Sequence, residues 1–218
     1  MSARAVQTCQ APAVAPRAAI ACECFTDFDT LATLRHDWDR FLERVGGDVY
    51  FSFDWCRIWW RHYAYRRRLC VFVFRAAGEI IAILPMLIDR LRLGPVTVRL
   101  AKFIGSDSTL AVLNPPVEPE QARQVYADVL RQLLYVHKCD AVSFGPLSGE
   151  RPHARTVRAA SQALPGTHVV RDLATTVHNV YNLPADRDTY LRGLQKTQRR
   201  EYERGWNRLT TKHQVAVE

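Results

Sequence analysis

The 218-residue sequence lacks paired CxxC motifs, and no histidine cluster with ligand spacing accompanies its six cysteines. That pattern does not fit a zinc-ribbon framework, and no metal is expected. The cysteines, Cys9, Cys22, Cys24, Cys56, Cys70 and Cys139, mostly stand singly among apolar neighbours. They fit a reducing compartment in which Cys serves as a small hydrophobe, and a cytoplasmic location is expected. Cys22 and Cys24 would share one face of a strand, the one pairing among them with any metal-binding appeal. No apolar run approaches about 18 residues, so no membrane span is expected. No internal repeat recurs at solenoid periods. Acid is in short supply as well. Asp and Glu number 22 against 30 Lys and Arg, which leaves a net charge of +8 and an isoelectric point near 9.4. Such an excess favours anionic partners without choosing among them.

What is present is a globular balance, 48% hydrophobic and 24% charged. A chain of this length buries about 70% of its unfolded surface and needs no disulfide staple. Residues 1–18 are rich in Ala and Pro, contain Arg4 and Arg17 and have no acid, which reads as a disordered leader. "IACECF" reads as a first strand. A helix should follow over 30–44, capped by Asp27 or Asp29 and ended by Gly46-Gly47. "SFDWCRIWWRHY" reads as a second helix, capped by Ser52 or Asp54, with Trp55, Ile58, Trp59 and His62 near one face. "LCVFVFRAAGEIIAILPMLIDRLRLG" is a hairpin signal, two apolar β-prone runs around Ala77-Gly78. Both runs are nearly continuous in apolar character, which predicts burial on two sides, and Pro85 should mark a bulge or bend. "VTVRLAKFIG" and "TLAVLN" extend the sheet. A helix over 118–136, a short buried strand in "CDAVSFGPL", a helix over 152–164 and one or two strands in "HVVRDLATTVHNVYNL" complete a mixed α/β pattern.

The character changes after Pro184. Lys196, Arg200, Arg204, Arg208 and Lys212 recur at i+4 and form a slowly spiralling cationic ridge on a helix. Leu191, Leu194, Tyr202, Trp206 and Leu209 fall on another side. The ridge reads as a solvated face, as an anion or substrate groove, or as a docking surface for an acidic protein partner. Nucleic acid is not expected, since no recognised motif for it appears. Gly105-Ser106-Asp107-Ser108 is a polar turn that faces substrate or closes on itself as an Asx or Ser turn. Asp107 would serve as a base only within a cleft that raises its pKa. Trp55, Trp59 and Trp60 would stack on sugar or pack the core, and His62 and His178 read as structural. No catalytic residue is assigned.

Three segments in order resemble a family. "YFSFDWCRIWWRHY", "LCVFVFRAAGEIIAILPMLI" and "LPADRDTYLRGLQKTQRREYERGWNRL" are similar to the aromatic helix, the next hairpin and the Lys/Arg-rich junction of CelD/BcsL-like acyltransferases of cellulose and exopolysaccharide synthesis. "FIGSDSTLAVLNP" also fits, and the similarity covers most of 20–218. The resemblance implies two GNAT-like folds in tandem, related to the FemAB-type arrangement. It implies an N-terminal GNAT-like α/β domain over 19–183 and the opening of a second over 184–218. It also implies acyl-CoA as donor and an amine or hydroxyl of unknown identity as acceptor. The Arg/Gln-x-x-Gly-x-Gly/Ala pattern of the family's phosphate-binding loop is absent, and Gly205 does not reproduce it. A shortened enzyme, inactive alone, is therefore the expectation, with a protein partner covering the basic helix.

Overall fold

The computed structural model describes residues 19–106, 112–148, 152–166, 169–171 and 184–212. The chain divides into two compact units, Met1–Leu173 and Ala174–Glu218. The expected domain boundary at 183–184 and the strands expected in "HVVRDLATTVHNVYNL" fall largely outside the described residues.

The first unit is a mixed α/β fold built on a five-stranded sheet in sequential order. Strand β1, Ile20–Phe25, pairs antiparallel with β2, Arg68–Ala76, which pairs antiparallel with β3, Glu79–Leu93. Strand β4, Val96–Phe103, is antiparallel to β3, and β5, Ala141–Ser143, joins β4 in parallel. The β2–β3 hairpin forms where expected. Ala77 and Gly78 both have positive φ, 49° and 86°, as a tight two-residue hairpin turn requires. No bulge falls at Pro85. It stays in register opposite Val71, and the register shift lies at Phe74/Arg75.

Each face of the sheet carries its own core. Helices α1, Arg35–Arg44, and α2, Phe53–Tyr63, cover one face, where Trp38, Phe41, Phe53, Cys56 and Trp59 pack on Leu69, Val71, Val73, Ile83 and Leu87. Helices α3, Ala122–Arg131, and α4, His153–Gln162, cover the other, over Cys70, Phe72, Phe74, Leu84, Met86, Ala101 and Phe103. Burial on both faces explains why β2 and β3 read as unbroken apolar runs. Trp38 donates its indole N–H to the Phe51 carbonyl at 2.7 Å, so this buried ring has no stranded donor.

Several local expectations need correction. Ser52 caps α2 by accepting from Trp55 N–H, but the helix buries Phe53, Cys56 and Trp59, while Ile58 and His62 face out. No side chain caps α1. A short 3-10 turn, Ala32–Leu34, precedes it, and the Asp27 carboxylate instead accepts from Asp29 N–H at 3.0 Å. The α3 segment ends in a π turn, Gln132–Val136. Among the described strands β5 is the last of the sheet, with Ala141 and Ser143 exposed, not a buried one.

In the second unit, α5, Arg187–Gly193, leads into α6, Lys196–Lys212. Asp186 caps α5 through its carboxylate, which accepts from Thr189 N–H at 2.8 Å and from the Thr189 hydroxyl at 2.7 Å. These two bonds hold the carboxyl below its usual range. Arg199 donates to the Leu191 and Arg192 carbonyls at 2.8 and 3.0 Å and so occupies the free acceptors at the end of α5. No helix among the described residues is long and apolar enough to cross a membrane.

Candidate functional site

Strand alternation builds a cationic cleft at one end of the sheet. The β3–β4 register sets Arg90 opposite Arg99, Arg92 opposite Thr97 and Ile88 opposite Ala101. With a side-chain period of two, Ile88, Arg90 and Arg92 share a face, as do Thr97, Arg99 and Ala101. Ile88 and Ala101 belong to the core that includes α3, so the arginines continue that same face of the sheet. Arg68 stands opposite Ile88, and Arg66 and Arg67 come from the turn before β2. With His137 these residues line a cavity of about 580 Å³.

Part of the positive charge there is paired. Arg67 and Lys102 share Asp89, at 3.4 and 3.2 Å, and Arg99 reaches Asp140 at 4.0 Å. Arg66, Arg68, Arg90 and Arg92 have no carboxylate partner among the described residues. Like charges directly opposite on neighbouring strands are destabilising. Guanidinium forks suit carboxylate, sulfate or phosphate, and the cavity has the size of a small-molecule site.

The opposite end of β4 has a different chemistry. Ile104 N–H bonds the Pro85 carbonyl at 3.0 Å, and Gly105 turns the chain with φ +80° under the Trp55 ring. The Ser106 hydroxyl donates back to the Phe103 carbonyl at 2.9 Å, so this candidate closes a local turn. Asp107 lies outside the described residues. Further on, Val117 bridges Ala82, Pro116 O accepts from Ile83 N–H, and Glu118 N–H bonds Ile81 O at 2.8 Å. Glu118 also pairs with Arg44 at 3.2 Å. The approach to α3 thus commits the Glu118 N–H to β3 and the Gln121 and Ala122 N–H groups to its own turn, and it carries prolines and acids. A phosphate cradle needs free N–H groups instead. Behind it, Tyr126, His153 and Asn114 form a chain at 2.9 and 3.1 Å, and the Asn114 amide donates to Gly46 O at 3.2 Å. Burial pushes the Tyr126 phenol up, so it stays neutral.

A cluster of soft ligands adjoins the arginine cleft. Cys24 on β1, Cys70 on β2 and His137 after the π turn bring their ligand atoms within 4.8 Å of one another. Cys24 Sγ lies 3.8 Å from His137 Nε2, and Phe72 meets the imidazole edge-on at 6.1 Å. A hydrogen bond from Cys70 holds the Cys24 thiol below its usual range, helped by Arg68, although burial opposes it. That same bond, with burial, pushes Cys70 up. Burial and then Arg68 hold His137 below the usual histidine range, in its neutral form.

On α6, Lys196, Arg200, Arg204 and Arg208 are all exposed, and none has an ion-pair partner among the described residues. The ridge forms as spaced. Arg187 lies 5.5 Å from the Tyr202 ring and 5.2 Å from that of Trp206, so these aromatics are engaged within the unit. The ridge and the arginine cleft belong to different units. The signal that would have revealed the cleft lies in the sequence: a hairpin turning at Gly94-Pro95 necessarily sets Arg90 against Arg99 and Arg92 against Thr97.

No protein-family model matches the sequence, and no curated protein matches it. Among solved structures it is similar to a predicted acetyltransferase with acetyl-CoA from Clostridium acetobutylicum, at 14% identity and TM-score 0.37, covering 71% of this chain and 96% of that one. It is also similar to an aminoglycoside acetyltransferase from an uncultured soil metagenomic sample in complex with trehalose, at 15% identity and TM-score 0.40, covering 76% and 97%. A third is a GCN5-related N-acetyltransferase from Ralstonia eutropha, at 11% identity and TM-score 0.36, covering 72% and 99%. These alignments assign no residue a role.

Proposed function

We propose that this chain is a GNAT-type acyltransferase protein of polysaccharide or cell-envelope synthesis whose first unit holds an anionic acceptor, with acyl-CoA as donor. The observation that carries the acceptor role is the arginine cleft. Four of its guanidinium groups have no carboxylate partner among the described residues, in a cavity of about 580 Å³. The acyltransferase part rests on the resemblance of the ordered segments quoted above. The loop before α3 supports the division of labour, because Glu118 and the prolines suit donor phosphates poorly. The donor is then held by other residues, and the reaction is direct transfer to an amine or hydroxyl. Backbone N–H groups would stabilise the thioester oxyanion.

A second reading follows from the exposed ridge Lys196, Arg200, Arg204 and Arg208, which has no ion-pair partner among the described residues: a non-catalytic module that docks an acidic protein or polymer on α6. Calorimetry of the whole chain with acetyl-CoA, longer acyl-CoAs and an anionic oligosaccharide separates the two. Charge reversal of Arg90 and Arg99 should abolish oligosaccharide binding and spare acyl-CoA. Loss of acyl-CoA binding in that variant would make the cleft the donor site. No heat with any acyl-CoA at millimolar concentration would remove the enzymatic reading for this chain and leave the docking module.

A further inference from the structure

We infer that Cys24, Cys70 and His137 form a binding site for a zinc-class divalent metal ion, beside the arginine cleft and independent of it in function. The set is three ligand atoms within 4.8 Å of one another, two sulfurs and one imidazole nitrogen. The sequence spreads them over three elements, with 113 positions between Cys24 and His137, so the fold alone assembles them.

Geometry favours a metal over a disulfide. Cys24 stands opposite Phe72 in the β1–β2 register, so Cys70 is its diagonal neighbour on the same face. Diagonal Cα atoms on antiparallel strands are about 7–8 Å apart, beyond the roughly 4.4–6.8 Å a disulfide accepts. A metal spans more. With zinc–sulfur and zinc–nitrogen bonds of about 2.3 and 2.0 Å, a tetrahedral site sets sulfur and nitrogen roughly 3.6 Å apart. The observed 3.8 Å between Cys24 Sγ and His137 Nε2 needs little adjustment.

The surroundings fit the same occupant. Two thiols and an imidazole, with no carboxylate among them, select zinc, cobalt or copper over magnesium or calcium. Each thiol gives its proton to solvent on binding, and two thiolates then neutralise a divalent ion. The backbone is shaped around the site too. Lys138 has φ +55°, an uncommon conformation for a side-chain-bearing residue, directly after His137. The His137 N–H, bonded to Gln132 O at 2.9 Å, closes the π turn that ends in this corner. Cys24 is exposed, Cys70 buried and His137 half-buried, so an ion can enter from solvent and leave a fourth position for water. Cys139, although buried nearby, stands outside the trio.

The test is titration of the full chain, stripped with chelator, with Co²⁺ and then Zn²⁺. We expect one metal per chain, a thiolate-to-cobalt charge-transfer band, tetrahedral visible bands, and displacement of Co²⁺ by Zn²⁺. Cys24→Ser and His137→Gln, both at accessible positions, should weaken binding by at least about tenfold, as loss of one ligand in three requires. Cys22→Ser, on the same strand face but outside the trio, should bind like the unaltered chain. Far-ultraviolet circular dichroism of each stripped variant checks that it has folded. Absence of the charge-transfer band from the unaltered chain would overturn the inference. So would a band that survives both ligand substitutions, or one that Cys22→Ser weakens equally. None of these readouts involves acyl-CoA or an acceptor, so the fate of the acyltransferase reading does not affect them.

Discussion

The two ends of β4 solve opposite problems with the same strand. At its start, Arg99 faces Arg90 across the sheet, and charge is concentrated along a cleft lined by arginines. At its end, Phe103 and Ile104 are buried, Gly105 fits beneath Trp55, and the next loop is stitched to β3 by backbone bonds. The first end is open and electrostatically costly. The second is closed and spends its hydrogen bonds internally. Sites that are unfavourable in the empty protein are where a ligand restores the balance, so the open end is the one built to bind.

The largest effect should come from a single methyl group at the closed end. In Gly105→Ala the added Cβ would lie 2.1 Å from Trp55 Cη2, on a backbone with φ +80°. The left-handed conformation costs about 1–2 kcal/mol for a side-chain-bearing residue, and overpacking costs about 1–3 kcal/mol more. Together these should lower the thermal midpoint by roughly 5–15 °C. Gly94, in the turn at the open end, is the internal control. It has φ +63°, and an added methyl there would meet nothing within 4 Å, so Gly94→Ala should cost about 1 kcal/mol from the backbone alone. Trp55→Leu should rescue part of the Gly105→Ala loss and none of the Gly94→Ala loss. Equal melting of the two alanine variants would break the contrast between the ends.

Next in size is the ligand term. Charge-assisted hydrogen bonds contribute roughly 1.5–3 kcal/mol each, so Arg90→Glu with Arg99→Glu should weaken an anionic oligosaccharide at least about tenfold. The unaltered chain should lose affinity steeply between low salt and 1 M salt, where the screening length falls to about 3 Å. Titration calorimetry at the two salt concentrations reads both effects. Salt-independent binding, or binding unchanged in the double variant, would remove the cleft as the anion site.

Much of this architecture was legible in the residues. Ala77-Gly78 between apolar runs, and Ser52 three residues before an N–H it accepts from, are local signals, and the fold honours both. The readings that failed depended on what lies across the sheet. Pro85 suggested a bulge or bend because it lacks a donor, yet the register shift lies at Phe74/Arg75, Pro85 stays opposite Val71, and its carbonyl receives Ile104 N–H. Trp55, Ile58, Trp59 and His62 read as one face by helical spacing, but the packing buries Trp59 with Phe53 and Cys56 and leaves Ile58 exposed. The cysteines looked like isolated hydrophobes because most stand singly, and the Cys22–Cys24 pair has no histidine near it in the sequence. Only the β1–β2 register and the turn after α3 bring two of them to His137. The ridge on α6, by contrast, follows from i+4 spacing within one helix and needed no tertiary information.

The smallest effect is the most direct probe of the open end. Arg90 has no side-chain partner among the described residues and faces Arg99 across the strand pair. Arg90→Thr removes the repulsion and places a β-branched residue on a strand that favours one. Cross-strand pairs of this kind are worth about 0.2–1 kcal/mol, so the variant should be more stable than the parent, by roughly 1–3 °C in thermal midpoint. The gain should shrink in 1 M salt, where the arginine pair is already screened. The same variant should bind an anionic oligosaccharide more weakly. Stability gained and affinity lost by one substitution is the signature of a site whose empty state is strained by its own charge. If Arg90→Thr instead melts lower than the parent at low salt, the arginines support the strand pair, and the cleft is ordinary surface.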